Sequence, residues 1–278
     1  MLDRISFDPC GVHRQPPGHV QSVTLPGVST VVDAGHDLRL HLSLFPESTM
    51  FALTLFGPPN AALDDRSLLF PTVRSRALLA YLALHPQQPQ FRDALAELLW
   101  AGGPGAENRS NLRTALSRLR RTLKDVEQPL VRADRDTITF IGPAGIVDVL
   151  RFRSLLRACA NHAHRSELDC QTCLERMQEA VALPAGPLLA GLHLAGNPLF
   201  EEWLLAEREQ CQQQVLSALQ TLVKIYQQRQ DHAQVVTYAR QQLALAPWRE
   251  ETHLALMRAY LLNGERHRAL QHYATMTD

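Results

Sequence analysis

Asn108-Arg109-Ser110-Asn111-Leu112-Arg113-Thr114-Ala115-Leu116-Ser117-Arg118-Leu119-Arg120-Arg121-Thr122-Leu123-Lys124 is the stretch on which the reading of this chain turns. It holds six basic residues (Arg109, Arg113, Arg118, Arg120, Arg121 and Lys124) and no acidic one. At about 100° per residue, Leu112, Ala115, Leu116, Leu119 and Leu123 form one apolar stripe. Arg109, Arg113, Ser117, Arg120 and Lys124 lie beside it, with Ser110, Thr114 and Arg121 further round. One face packs, and the next is cationic and hydrogen-bonding. Such a face suits a DNA major groove, where arginine pairs bidentately with guanine and hydroxyls reach phosphates or bases. Taken alone, the pattern is better explained by a solvated amphipathic helix, so its neighbours decide.

Upstream, Arg74 to His85 has helical spacing at Ala77, Leu78, Tyr81, Leu82 and Leu84, and Pro86 stops it. Arg92 to Trp100 reads as a shorter helix with Leu95, Leu98, Leu99 and Trp100 on its buried side, and Ala101-Gly102-Gly103-Pro104-Gly105 breaks the chain after it. Downstream, Leu130 to Ala133, a turn at Asp134-Arg135-Asp136, and Thr137 to Ile141 predict a β-hairpin. Further upstream, Phe51 to Phe56 reads as a strand ending at Gly57-Pro58-Pro59, followed by a polar turn over Asn60 to Arg66. Strands, three helices and a closing hairpin outline a winged helix, with the basic stretch as its recognition helix. The expected DNA-binding residues are therefore Arg109, Ser110, Arg113, Thr114, Ser117, Arg120, Arg121 and Lys124. Arg132 and Arg135 on the hairpin are candidate wing contacts to phosphate or minor groove, or ordinary surface charges.

From Val147 onward the pattern is helical and repetitive. Leu222 and Leu256, Tyr226 and Tyr260, Gln230 and Gly264, and Val235 and Ala269 are each separated by 34 residues, the period of tetratricopeptide helix pairs. Val223 and Met257 stand where a small residue normally lets such helices approach, and the second unit runs out at Asp278. The expected organisation is an extension over residues 1–49, flexible or a start assigned too early; an α+β winged-helix domain over 50–145; and an all-α tetratricopeptide-like domain over 146–278, cut short at its C-terminus.

Composition bounds the function. The chain has 278 residues, 45% hydrophobic and 20% charged, which argues against wholesale disorder. Its 28 basic and 28 acidic residues cancel, but the basic cluster sits on one helix, so net neutrality predicts modest non-specific DNA affinity rather than none. Residues 51–150 carry 12 basic and 10 acidic residues, and residues 151–278 carry 13 of each. The N-terminus lacks the basic and apolar pattern of a signal peptide, and the apolar runs are far shorter than a membrane span. A cytoplasmic protein that does not engage membranes is expected. With neither a phosphate-binding G-x4-G-K-[ST] loop nor a G-x-S-x-G elbow, the sequence offers no catalytic residues.

Five cysteines are too few and too scattered for a disulfide scaffold. Cys159, His162, His164, Cys170 and Cys173 nevertheless concentrate soft or borderline ligands in 15 residues, and C-x2-C is a spacing zinc favours. Four of the five could hold a structural zinc. Alternatively, Cys159 completes the apolar face of Phe152, Leu155 and Leu156 while the others are loop residues, or the pair is a redox dithiol.

Arg76 to Pro86, Arg92 to Trp100 and Asn111 to Arg121 resemble the AfsR/SARP-type bacterial regulators, which join an OmpR-like winged helix to a bacterial transcriptional activator domain. The second part is matched by Asp148-Val149 with Phe152, Phe200-Glu201-Glu202-Trp203, Pro247-Trp248-Arg249-Glu250-Glu251, Leu256-Met257, and Gly264 with Ala269-Leu270 and Tyr273. The resemblance spans roughly residues 51 to 276 and implies an activator that binds double-stranded promoter DNA and recruits RNA polymerase. It makes the helical domain the interaction and homodimerisation module. A protein-interaction adaptor acting through the repeat domain is the alternative, and a zinc- or redox-responsive regulator on the same scaffold is another. Two departures stand out: Phe91 where the family usually caps the second helix with serine, and Leu183-Pro184-Ala185-Gly186-Pro187 in place of an aromatic-containing loop.

Overall fold

Burial alternates along the first strand as its sequence requires. In the computed structural model, which describes residues 50–124, 126–163 and 169–277, β1 (Phe51–Thr54) buries Phe51 and Leu53 and exposes Ala52 and Thr54. The expected extension over 1–49 lies outside the described residues. β2 (Asn60–Leu63) and β3 (Arg66–Ser67) complete an antiparallel sheet in the order β1-β2-β3. This corrects the polar turn expected over Asn60 to Arg66. Asn60-Ala61-Ala62-Leu63 has no β-branched residue to announce a strand, yet Ala61 is fully buried. The true turn is Asp64-Asp65, with φ of 48° and 63°, the left-handed pair that two-residue hairpins favour.

α1 (Val73–Leu84) begins at Thr72, whose Oγ1 accepts from the Ser75 N–H at 3.1 Å. β4 (Gln90–Phe91) runs straight into α2 (Arg92–Leu99). α3 (Gly105–Thr122) is followed by the hairpin β5 (Val131–Ala133) and β6 (Thr137–Phe140), and the second sheet is ordered β4-β6-β5. Phe91 supplies no side-chain cap to α2. The hairpin turn substitutes for it: the Arg92 N–H donates to the Asp136 carbonyl at 2.9 Å, and the Arg92 guanidinium donates to the Asp134 carbonyl at 3.1 and 2.9 Å. α3 starts a turn earlier than Asn108, with Pro104 as N-cap and Glu107 in a first turn where the helix dipole favours an acid. The break itself is Gly102-Gly103. Gly102 has φ of 84°, and a Cβ on Gly103 would lie 2.5 Å from Asn108 Oδ1.

After a 3-10 turn at Ala144–Ile146 come α4 (Asp148–Ala160), α5 (Gln171–Ala182), α6 (Pro198–Gln228), α7 (His232–Leu245), α8 (Glu250–Leu262) and α9 (Arg266–Thr277). The 34-residue spacing has a structural counterpart. Gln230 and Gly264 both sit just past a helix end at positive φ, 58° and 79°. The next residue closes each helix in the same way: Asp231 N–H donates to the Tyr226 carbonyl at 3.0 Å and Glu265 N–H to the Tyr260 carbonyl at 2.8 Å. The chain is thus an α/β winged-helix region followed by an all-helical region.

The two regions share backbone as well as core. Beyond β1, Leu55 and Gly57 bond to the loop before α6: Leu189 N–H donates to the Leu55 carbonyl at 2.8 Å and Gly57 N–H to the Pro187 carbonyl at 3.0 Å. The Leu183–Pro187 departure lies here, with a Cβ on Gly186 only 3.4 Å from Gly57 Cα. Asp148, the first residue of α4, accepts the backbone N–H groups of Leu55 and Phe56 at 2.9 Å each and that of Val149 at 2.7 Å. Burial pushes this carboxyl up, and those N–H groups pull it back. Arg208 of α6 donates to the carbonyls of Leu188, Leu189 and Leu192. Asn197 both caps α6 and donates to the Leu98 carbonyl at 2.7 Å, at the end of α2. Trp203 packs on Tyr81 of α1, ring centroids 4.8 Å apart.

Candidate nucleic-acid interface

α3 is fixed by what it buries. Leu112, Ala115, Leu116 and Leu119 are each under 5% exposed and belong to the core. A fully buried leucine contributes roughly 1.5–3 kcal/mol, so this stripe sets the rotation of the helix about its axis. The opposite face is thereby held outward: Arg109, Ser110, Arg113, Thr114, Ser117, Arg120, Arg121 and Lys124 are all exposed. The structure brings the expected recognition-helix residues onto one solvent-facing surface.

Their surroundings differ. Among the described residues, Arg113, Arg120 and Arg121 have no ion-pair partner. Arg109 is engaged: its Nε and Nη2 meet both carboxylate oxygens of Asp93 at 2.6 and 2.8 Å. The Arg109 hydrogen bond holds the Asp93 carboxyl below the usual carboxylate range. Thr114 Oγ1 donates to the Ser110 carbonyl at 3.1 Å, which leaves its oxygen lone pairs outward.

The hairpin approaches the same face. Arg135, at its turn, lines a groove of about 590 Å³ together with Arg109 and Arg113 of α3 and with Phe91, Asp93 and Asp136. Cationic groups from two elements therefore face one concave surface, as a phosphate backbone would require. Arg132 is exposed on β5, with its Nε 3.7 Å from the Asp134 carboxylate.

Arg118 is a cation the sequence reading left out of the contact set. It shares a second cleft with Asn111 and Thr114 of α3, Thr72 and Arg74 at the start of α1, and Trp100. Its signal was the ridge Asn111, Thr114, Arg118, spaced three and four residues apart. Arg74 is held by the Leu99 carbonyl at 3.2 Å and lies over the Trp100 ring, 5.8 Å from its centroid.

The helical region gathers most of the sequence-predicted metal ligands. His162, Cys170 and Cys173 come together with ligand atoms within 4.8 Å of one another. Cys159 is buried beside them, and its thiol donates to the Cys173 carbonyl at 3.6 Å. Burial pushes the Cys173 thiol up to about 12, whereas the Cys173 backbone N–H lowers that of Cys170. His164 lies outside the described residues.

Two family profiles match the chain: "Transcriptional regulatory protein, C terminal" over residues 68–137, and "Bacterial transcriptional activator domain" over residues 147–278. The regulatory protein AfsR of Streptomyces coelicolor is 27% identical over 229 residues, which cover 82% of this chain and 22% of that protein. The transcriptional regulatory protein MoaR1 of Mycobacterium bovis is 37% identical over 71 residues, 26% of this chain and 23% of that protein. The chain thus spans about a fifth of the length of these relatives. Among solved structures, Mycobacterium tuberculosis EmbR, in complex with a low-affinity phosphopeptide, superposes with a TM-score of 0.62 at 20% identity, over 82% of this chain and 59% of that one. Among the described residues, no helix is long and apolar enough to cross a membrane. With an OmpR-type winged helix followed by a bacterial transcriptional activator domain, the chain belongs to the SARP family of transcriptional regulators.

Proposed function

We propose that this regulator is an activator that docks α3 in the major groove of promoter DNA and sets its hairpin against the flanking phosphates. Arg113, Arg120 and Arg121 are the leading contacts, with Ser110, Thr114, Ser117 and Lys124 along the same face and Arg135 on the wing. Arg109 joins them once it exchanges Asp93 for a phosphate or a base. Arg132 is a flanking contact. The observation that carries this reading is the row of exposed guanidinium groups of Arg113, Arg120 and Arg121, without carboxylate partners among the described residues, continued by Arg135 across one groove with Arg113. Unpaired cations have no intramolecular bond to give up on meeting DNA, so their full electrostatic gain goes into binding.

The helical region then supplies the activating surface, through RNA polymerase or a second copy of the chain. The bonds from Asp148 and Asn197, with the backbone bonds of Leu55 and Gly57 to Leu189 and Pro187, tie it to the winged helix, so a DNA-bound reader presents it in a fixed orientation. Footprinting on the DNA upstream of the chain's own gene, followed by transcription in vitro from the protected promoter, tests both halves. Protection of a discrete site and more transcript with the protein present are expected. Protection with less transcript would make the protein a repressor, and uniform coating without a discrete site would remove sequence-specific reading.

A further inference from the structure

We propose that the corner joining α4 to α5 is a zinc-class metal site, with His162, Cys170 and Cys173 as ligands and Cys159 as the fourth. The inference stands independently of the DNA-binding reading. His162 Nδ1 lies 3.4 Å from Cys170 Sγ and 3.3 Å from Cys173 Sγ. In a tetrahedral site with Zn–S of about 2.3 Å and Zn–N of about 2.0–2.1 Å, such atoms stand roughly 3.5 Å apart. The two nitrogen–sulfur separations therefore already match the ligand–ligand spacing of a zinc tetrahedron. Hydrogen bonding explains the arrangement poorly, because one ring nitrogen facing two weakly donating thiols makes at most one good bond. A cation at the centre takes a lone pair from each of the three.

Cys159, 2% exposed in the last turn of α4, is the adjacent thiol; its sulfur, which donates to the Cys173 carbonyl, would have to turn toward the cluster to complete the set. With it in place four ligands would leave no open position, as in a structural site. Cys170 and Cys173 lie at the start of α5, with Cys170 at its N-cap.

The corner is also held by bonds that use no ligand atom. Arg176 donates to the Ala158 carbonyl at 3.2 Å, tying α5 to the end of α4. Gln228 donates to Asp169 and Arg229 to Gln171, each at 3.0 Å, clamping the corner to the end of α6. A bound ion would brace the first helices of this region against the long helix that carries the repeat.

The test is metal analysis of full-length protein purified without chelator, together with titration of reduced, metal-free protein with Co²⁺. About one zinc per chain is expected, and His162→Ala and Cys170→Ala should each lower it to below about 0.2. Cobalt should give thiolate-to-metal charge-transfer absorption in the parent and lose it in those variants. Both substitutions fall at half-buried positions, so the variants should fold. Cys211→Ala, outside the corner, should retain the metal. The proposal is overturned if the parent holds less than about 0.2 zinc and its reduced form shows no cobalt absorption. It is also overturned if both ligand variants keep their zinc. A Cys170–Cys173 disulfide in the isolated protein, with no metal uptake after reduction, would replace the metal site with a redox pair.

Discussion

The exposed face of α3 and the packed elements of the helical region use their arginines in opposite ways. In the helical region several guanidinium groups are spent internally. Arg153 pairs with Glu207 at 2.9 Å, Arg151 with Glu179, Arg176 and Arg208 satisfy backbone carbonyls, and Arg229 holds Gln171. On α3, Arg113, Arg120 and Arg121 have no such partner among the described residues. A charge that closes its own hydrogen bonds supports the fold, and a charge left open is available to a partner. Net charge cannot tell the two apart, so a chain with 28 basic and 28 acidic residues can still present a DNA-binding face.

The largest expected effect breaks the internal side of that contrast. Arg208→Ala strands the carbonyls of Leu188, Leu189 and Leu192, and a stranded buried acceptor costs about 1–3 kcal/mol. With Arg208 half-buried and water able to reach part of the site, a net loss of about 2–3 kcal/mol is expected in urea unfolding. DNA affinity of the folded fraction should not change. Loss of DNA binding by fully folded Arg208→Ala protein would mean that the two sets of arginines are not separable.

The converse is Arg113→Ala combined with Arg120→Ala. Each contact to a base is worth about 1–3 kcal/mol, so affinity should fall more than about tenfold, while stability stays within about 0.5 kcal/mol of the parent. Next comes Asp93→Asn, which releases Arg109 and removes an acid from the groove. An exposed ion pair is screened by water and contributes little, so stability should barely move, and fluorescence anisotropy should show DNA affinity rising about two- to threefold. A fall in affinity would show instead that Asp93 positions Arg109 for contact.

The smallest effect concerns two stacked histidines, His253 and His272, whose ring nitrogens lie 2.8 Å apart between α8 and α9. Burial and His253 hold the His272 imidazole below its ordinary value of 6.5. A depressed imidazole means that the unfolded chain takes up the proton first. The stability of this contact is therefore full above pH 6.5 and lost as pH falls below it. Thermal unfolding from pH 8 to 5 should show that loss in the parent and less of it in His272→Gln; identical pH dependence in both would remove the assignment.

Much of this was legible in the sequence because strong periodicity leaves little choice. The leucine stripe of α3 fixed both the helix and its exposed face, and the Gln230/Gly264 spacing marked two helix ends that the structure closes with the same backbone bond. What escaped was long-range or weakly coded. β2 is alanine-rich and is a strand through its pairing with β1 on one side and β3 on the other. The cap for α2 comes from a hairpin turn more than 40 residues further on. The Arg109–Asp93 pair crosses between two helices, which no helical wheel of either one reveals.

The central claim is that the open arginines of α3 read DNA, and its most direct test is the salt dependence of binding. Anisotropy titrations of the parent and of the Arg113→Ala, Arg120→Ala double variant, on the protected promoter fragment from about 50 to 200 mM salt, measure it. Weaker binding by the variant is expected, with a log–log salt slope flatter by about 1–2. Superimposable curves for the two proteins at every salt concentration would contradict the claim.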